Sequence, residues 1–536
     1  MNKHLLICLL CLLSAANVFA QEALKSFEEE YYDFLALQGL TERPALSYRT
    51  LSDSVWNIDK EAEHSWQDNN LGVFHSLFGD FRMRIYGPEL FMSGNTATPY
   101  GQNDGVLWQG RGFNALFKSG IRFEGYGIEL TLLPHFAFSQ NAEFEIMPSM
   151  YNNEYGYFWS YQHNAGIDAP QRFGNEPFFD WDFGDSEIRY TWKTLTAGFG
   201  TQTIWLGHAY LNPILHSNNA PAYPKVDIGL RRQRVVIPGL NWYAGDIEAR
   251  LWVGQLSESD YFDDDVTNDY TMFHGFSFAY APSFLPGLTL FVNRVCLVPW
   301  AWENLSYMFK TAQEFEDQKA SFGFSWLFPQ VGFEVYGELA IDDWVPGNLG
   351  GIRRPFHTTV YGFGFKKTLP IMPLRKIYGE LLFEYDWLEK TMEYAVRPYS
   401  FYAHHQIVHG YTNKGQWLGN GVSPIGNAQS LKFTLYYPDG NSSLMISRNN
   451  PNTHYIYENE FWASNERKDM FHNAFWANFN IDLSTRYFFT SNFTVMAGVT
   501  YNLIINPNYK RIFNDEPSSD TYIHNFSFQL GVKIYI

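Results

Sequence analysis

NFSFQLGVKIYI, residues 525–536, ends the chain in strict alternation. Phe526, Phe528, Leu530, Val532, Ile534 and Ile536 are apolar, and Asn525, Ser527, Gln529, Gly531, Lys533 and Tyr535 stand between them. Successive side chains of a strand point to opposite faces, so this strand has one apolar and one polar face. An antiparallel sheet lying on a soluble core has the same pattern. The fold therefore turns on whether the apolar face meets protein or lipid.

The alternation recurs upstream. Phe475, Ala477, Phe479, Ile481 and Leu483 alternate with Trp476, Asn478, Asn480 and Asp482, and Phe493, Val495, Ala497, Val499, Tyr501 and Leu503 continue the series. In two further segments the polar face is charged. Val331, Phe333, Val335, Leu339 and Ile341 alternate with Glu334, Tyr336, Glu338 and Asp342. Ile377, Leu381, Phe383, Tyr385 and Trp387 alternate with Lys376, Glu380, Glu384 and Asp386. Glu248, Arg250, Asp482, Arg486 and Lys533 join the same face if the register holds. A dry core cannot hold so many charges, because a buried unpaired charge costs several kcal/mol. The polar face thus lines a hydrated or loop-filled lumen, and the apolar face meets lipid.

Composition agrees. The 536 residues include 47 Phe, 35 Tyr and 17 Trp, which suits aromatic girdles at two lipid–water boundaries. The chain opens MNKHLLICLLCLLSAANVFAQ: Lys3 before an apolar run and a small-residue Val18-Phe19-Ala20 site read as a secretory signal over residues 1–20. Downstream, no stretch approaches the roughly 20 apolar residues of a membrane helix, and mean hydropathy is only -0.27. Cys8 and Cys11 fall within the signal, so Cys296 alone remains and no intrachain disulfide forms. A formal charge of -18 argues against a nucleic-acid partner.

LKSFEEEYYDFLALQGL, residues 24–40, reads as a helix with Leu24, Phe27, Tyr31, Phe34 and Leu35 on one stripe and Gly39 at its C-terminal cap. Residues 21–80 form a small helical periplasmic segment with room for further short helices, and 81–536 the barrel. Pro329-Gln330 and Gly245-Asp246 read as tight hairpin turns. Long polar stretches at 140–186, 256–270, 299–318, 388–428 and 449–472 read as loops of the opposite rim. The expectation is an all-β transmembrane antiparallel barrel of about 16–18 strands, monomeric and embedded in outer-membrane lipid.

Chemical motifs are sparse. Asp180-Trp181-Asp182 and Asp342-Asp343-Trp344 have the composition of paired catalytic acids, but loop or lumen structure accounts for them. Asp263-Asp264-Asp265 lacks the Gly and terminal Glu of a calcium loop. His405 and His409 share a face if their segment is a strand, with no third metal ligand evident. No nucleophile elbow, P-loop or dinucleotide fingerprint is present, so the expectation is a protein without enzymatic activity, metal or cofactor.

The segment GFGTQTIWLGHAYLNPILHSNNAPAYPKVDIGL, residues 198–230, is more specific. Gly200, Gln202, Trp205 and Gly207, then Ser217, Asn218, Asn219, Ala220, Pro221, Tyr223 and Pro224, resemble the signature of the Wzi-type capsule-assembly family of outer-membrane proteins. Leu206 is inserted between Trp and Gly, and His208 stands where Pro is common. HGYTNKGQWLGNGVSPIGNAQS, residues 409–430, resembles the family's later Gly-rich element through Gly410, Tyr411, Thr412, Leu418 and Gly419, with Ser423-Pro424 in place of Gly-Pro. The resemblance implies a barrel of about eighteen strands closed on its periplasmic side by a helical segment, and a lectin-like role holding capsular or exopolysaccharide. Sugars offer C–H faces to aromatic rings and hydroxyls to polar groups. On that chemistry Trp205, His208, Asn218, Asn219, Trp417 and Asn420 are the glycan-binding candidates. The competing reading is a channel or transporter for a small solute. In it Glu334, Glu338, Asp342, Glu380, Glu384 and Asp386 form an acidic lumen stripe that filters cations or sugar hydroxyls.

Overall fold

The computed structural model describes residues 20–58, 62–149, 153–159, 167–309, 315–342, 357–389, 400–422, 424–457, 474–512 and 521–536. Most of the signal segment, Asp343-Trp344 and Ser423 lie outside these residues.

Eighteen antiparallel strands close into a barrel. The first six are β1 (Arg82–Asn95), β2 (Gly112–Gly125), β3 (Ile128–Leu132, continuing as His135–Ser139), β4 (Phe178–Asp182, continuing as Glu187–Trp192), β5 (Leu195–Gly200) and β6 (Lys225–Ile237). Next come β7 (Trp242–Ser257), β8 (Tyr270–Pro282), β9 (Leu288–Pro299), β10 (Asp317–Phe328), β11 (Phe333–Asp342) and β12 (Thr359–Met372). The last six are β13 (Ile377–Trp387), β14 (Asn427–Tyr437), β15 (Gly440–Asn450), β16 (Ala477–Thr490), β17 (Phe493–Ile505) and β18 (Tyr522–Ile534). Every neighbour is sequential, and β18 returns to β1 with Ser527 opposite Asn95 and Lys533 opposite Glu89. Closure leaves no sheet edge, the condition for a sheet in lipid.

The terminal strand has the register its alternation predicts. Asn525 and Ser527 are 0% and 1% exposed, whereas Phe526, Phe528 and Leu530 stand 43–55% exposed on the outer surface. Outward apolar residues recur around the wall, among them Phe117, Leu130, Tyr190, Ile228, Phe278, Phe322, Phe363 and Ile481. No described helix is long and apolar enough to cross a membrane. An outward apolar surface around a closed barrel is the build of a bacterial outer-membrane protein.

One rim carries short turns. Tyr126 and Gly127, both at positive φ (52° and 82°), make the two-residue turn between β2 and β3, where the mirror-image turn matches strand twist. Pro329–Val331 joins β10 to β11 as expected. The Gly245-Asp246 turn does not exist. Those residues lie inside β7, where a register shift leaves a bulge and Gly245 takes φ 136°. The hairpin turns instead at 238–241, where Gly239 and Asn241 have positive φ. Gly-Asp is good turn chemistry, but glycine equally suits a bulge within a strand.

The N-terminal helix, α1 (Phe27–Leu37), lies inside the short-turn mouth. The Ser26 hydroxyl accepts from the Glu29 N–H at 3.3 Å, and Glu28 to Glu30 complement the helix N-terminus. Gly39 takes φ 76° and the Leu40 N–H returns to the Leu35 carbonyl at 2.9 Å, which closes the C-terminus. Tyr31 stacks on Trp66 at 4.0 Å and Phe34 on Tyr436 at 4.3 Å, so the apolar stripe packs on the inner wall. Lys533 and Tyr535 of the terminal stretch hold Glu28 at 2.5 and 2.7 Å. No second helix appears among the described residues 41–80.

Candidate functional site

The two stretches that resemble the family signature meet inside the barrel. Between β5 and β6 the chain turns into the lumen, and Trp205–Leu206 pairs with Tyr48–Arg49 of the N-terminal segment. Further along, the Ser217 N–H donates to the Leu418 carbonyl at 2.8 Å and its hydroxyl to the Gly419 carbonyl at 2.7 Å. Asn219 Nδ2 donates to the Trp417 carbonyl at 3.0 Å, and Tyr411 and Tyr402 donate to the carbonyls of Leu215 and Ile214. Tyr157, Phe158, Ile214, Leu215, Tyr402 and Leu418 pack against the inward wall residues Trp252, Phe273, Val295 and Val360. This apolar cluster fills the long-loop half of the lumen, as α1 and Trp66 fill the short-turn mouth.

The six glycan candidates divide by burial. Trp205 is 0% exposed, with Nε1 donating to the Ala209 carbonyl at 3.0 Å and its ring covered by Lys25 Nζ at 4.0 Å. Asn420 is buried and Trp417 nearly so; Asn218 and Asn219 are half-buried. His208, also half-buried, lines two lumen cavities instead. Asn218, Asn219, Trp417 and Asn420 thus cluster where the two stretches meet, while Trp205 and His208 lie deeper. The Gly-rich pattern could mark a close approach, but not that another loop of the same chain makes it.

Most of the acidic stripe is engaged internally. Glu334 takes a bidentate Arg43 at 2.6 Å, Arg43 Nε reaches Asp33 of α1 at 2.7 Å, and Lys366 completes the group. Burial alone would raise the Asp33 carboxyl, but Arg43 and then Lys366 hold it below its usual range. Asp342 pairs with Lys319 at 3.2 Å, and buried Glu380 lies in the fields of Lys366 and Lys432. Glu384 accepts the backbone N–H groups of Tyr210, Leu211 and Asn212 at 2.7, 3.0 and 2.7 Å, and the Tyr336 hydroxyl at 2.7 Å. Glu248 does the same for Leu46, Ser47 and Tyr48 at 2.8–2.9 Å. Each carboxylate satisfies buried donors that irregular backbone would otherwise leave orphaned. A cavity of about 530 Å³, counting its opening to solvent, remains above α1, lined by Lys25, Asp33, Arg43, Arg49, His208 and Lys366. Burial, with Arg49 next, lowers the Lys25 ammonium to about 8.

The remaining sequence motifs are structural. Asp182 accepts the N–H groups of Gly184 and Ala222 at 2.8 and 2.9 Å. Asp263 caps the Asp265 N–H in an exposed turn at 2.7 Å. Residues 401–411 are turns, not a strand, so His405 and His409 share no face; His405 is exposed, and buried His409 bonds Thr271.

Sequence reasoning placed the long loops at this rim but did not find the aromatic cluster they form. There Trp108, Phe144, Phe173, Phe178, Tyr155 and Tyr261 are half-buried and pack ring to ring, with Trp108 5.2 Å from Phe173 and 6.3 Å from Phe178. Gln102, Asn103 and Asp104 stand on the same loop as Trp108. Asp168 ties three loops together: it accepts from the Ser259 N–H at 2.8 Å and the Gly415 N–H at 3.1 Å, and its own N–H donates to the His409 carbonyl at 2.9 Å. Burial pushes the Asp168 carboxyl up to about 6.

No family model matches the chain, and no curated protein matches it. Among solved structures the fold superposes on Wzi of Escherichia coli, an outer-membrane protein involved in group 1 capsule assembly and described as a carbohydrate-binding β-barrel. The TM-score is 0.60 at 12% identity, over 96% of this chain and 100% of that one. OccAB2 of Acinetobacter baumannii aligns over 84% of this chain and 97% of its own at 10% identity, with a TM-score of 0.38. OprB of Pseudomonas putida aligns over 85% and 94% at 10% identity, with a TM-score of 0.36. At these identities the likeness to Wzi establishes a shared fold, and the two lower scores carry no argument.

Proposed function

We propose that this chain is a non-enzymatic, lectin-like outer-membrane protein that binds capsular or exopolysaccharide and anchors it at the cell surface. The observation that carries this reading is the lumen itself. Residues 198–230 and 409–430 are bonded to each other and to the wall as one plug, and α1 fills the opposite mouth. A diffusion channel needs a continuous water path, and a barrel built this way offers little; a plug that stiffens the loops is suited to presenting a binding surface. Short turns face the periplasm in outer-membrane barrels, which directs the long-loop rim outward. Residues 21–80 then close the periplasmic side.

The rim supplies sugar chemistry. Trp108, Phe173, Phe178 and Tyr261 offer partly exposed rings to C–H groups, and the partly exposed Gln102, Asn103 and Asp104 stand on the Trp108 loop to meet hydroxyls. Ordering them on a rigid scaffold lowers the entropic cost of binding a flexible polymer. The fold shared with Wzi, itself described as carbohydrate-binding, supports the same reading. The test is binding of the host's purified surface polysaccharide to the full chain in detergent. Wild type is expected to bind, and Trp108→Ala with Phe178→Ala to lose most of the affinity while keeping the heat-modifiable migration of a folded barrel. Absence of binding by the folded wild type would overturn the proposal.

A further inference from the structure

The lumen acids fall into two sets. Glu334 faces Arg43, Asp342 faces Lys319, Asp227 faces Arg189 and Arg250, and Glu129 faces Arg122 and Arg231. Glu338 and Asp386 are different: among the described residues neither has a basic partner, though they are 7% and 1% exposed. Strand register explains their juxtaposition. Glu338 of β11 is paired with Gly362 of β12, and Gly362 with Asp386 of β13, so two carboxyls flank a position without a side chain. A cavity of about 270 Å³, counting its opening to solvent, is lined by these three residues and by Glu384, with His208 and Asn212 contributed by the 198–230 stretch.

The polar atoms around it are unusually free. Both Glu338 oxygens, Asp386 Oδ1, Asn212 Oδ1 and His208 Nε2 are buried without a hydrogen bond, while the Ser321 hydroxyl lies close to Glu338. Asp386 Oδ2 accepts from Asn212 Nδ2 at 2.7 Å, and the Glu384 carboxylate is taken up by its own four donors. His208 supplies no countercharge, because burial, with Arg43 next, lowers its imidazole to about 3. Left charged, two buried carboxylates beside a third are strongly unfavourable, so the pair either holds protons or takes a cation. The enclosed room is that of about one water molecule, so a bare ion held by protein oxygens suits it and a sugar ring does not.

We propose that this cavity takes a divalent cation of the calcium type, held by carboxylate oxygens of Glu338 and Asp386 and the side-chain carbonyl of Asn212. Calcium accepts such mixed oxygen ligands in flexible geometry. Among the described residues no three acidic or imidazole groups already stand as a metal-ligand set, so the Glu338 carboxylate, approached only by the Ser321 hydroxyl, swings to complete the site. The bound ion pins the 208–212 turn to β11–β13, an inference that stands apart from the glycan reading.

The test uses the full chain in detergent, stripped with a chelator and titrated with terbium, which emits when a nearby tyrosine or tryptophan is excited; Tyr336 lines the cavity. The expected result is one saturable site displaced by calcium. Glu338→Gln and Asp386→Asn should each weaken it at least about tenfold. Asp263→Asn with Asp264→Asn, in the exposed acidic run, should leave it unchanged. An absent signal, or one that survives both lumen substitutions or disappears with the surface ones, overturns the proposal. Should the lumen variants fail to fold, the melting temperature of the Asp263→Asn/Asp264→Asn protein decides: calcium must raise it over the stripped state, and no shift refutes the site.

Discussion

Truncating Glu384 should loosen the plug more than any single change on its surface. The carboxylate accepts three successive backbone N–H groups, from Tyr210, Leu211 and Asn212, and the Tyr336 hydroxyl, all between 2.7 and 3.0 Å. Glu384→Ala leaves four buried donors without their acceptor, each worth about 1–3 kcal/mol if nothing replaces it. Water entering the vacated space recovers part of that sum. The net loss should therefore be about 3–5 kcal/mol, as when one partner of a buried charged group is removed. The assay is urea unfolding of detergent-solubilised protein, followed by tryptophan fluorescence and by heat-modifiable migration. Planar-bilayer recording is the second readout: wild type should be nearly silent, and the variant should show intermittent conductance as the 208–224 segment detaches. A loss below about 1 kcal/mol, one ordinary hydrogen bond, with bilayers still silent, would refute the reasoning.

Three further outcomes are expected. Arg43→Ala leaves Glu334 buried without its paired cation and Asp33 with Lys366 alone, so α1 should become protease-sensitive at a cost of about 3 kcal/mol. Leu530→Arg places a charge on the outer face near the middle of β18 and should cost about 2–4 kcal/mol, read as reduced folding yield in bilayers. For Asp168 the folded carboxyl is raised to about 6, so the folded state keeps a proton that the unfolded chain releases from about pH 4. The stability of wild type relative to Asp168→Asn should fall as pH rises from about 4 to about 6 and level off above; melting temperatures of both proteins across that range check the sign.

The wall was legible because lipid and lumen impose a period of two on every strand. Asn525 and Ser527 are buried and Phe526 and Phe528 outward, as alternation alone requires. The short α1 was legible from its apolar stripe and Gly39. The Gly245-Asp246 turn was misplaced because local chemistry cannot separate a turn from a bulge. The loops were legible only as loops. Ser217 meets Leu418 some two hundred positions away, and nothing periodic in either segment encodes that contact. Trp205 reads as a sugar platform until Lys25, from the far end of the chain, is found on its ring. The rim rings escaped notice because Trp108, Phe173 and Tyr261 come from three separate loops; the density of aromatics beside Asn, Gln and Asp over 100–178 was the available signal.

The most direct measurement is the fraction of surface polysaccharide retained on cells with and without this chain, with total polysaccharide assayed in the same cultures. Anchoring predicts an unchanged total and a shift of polymer from the cells into the medium when the chain is removed. Unchanged retention in cells lacking it would contradict the account.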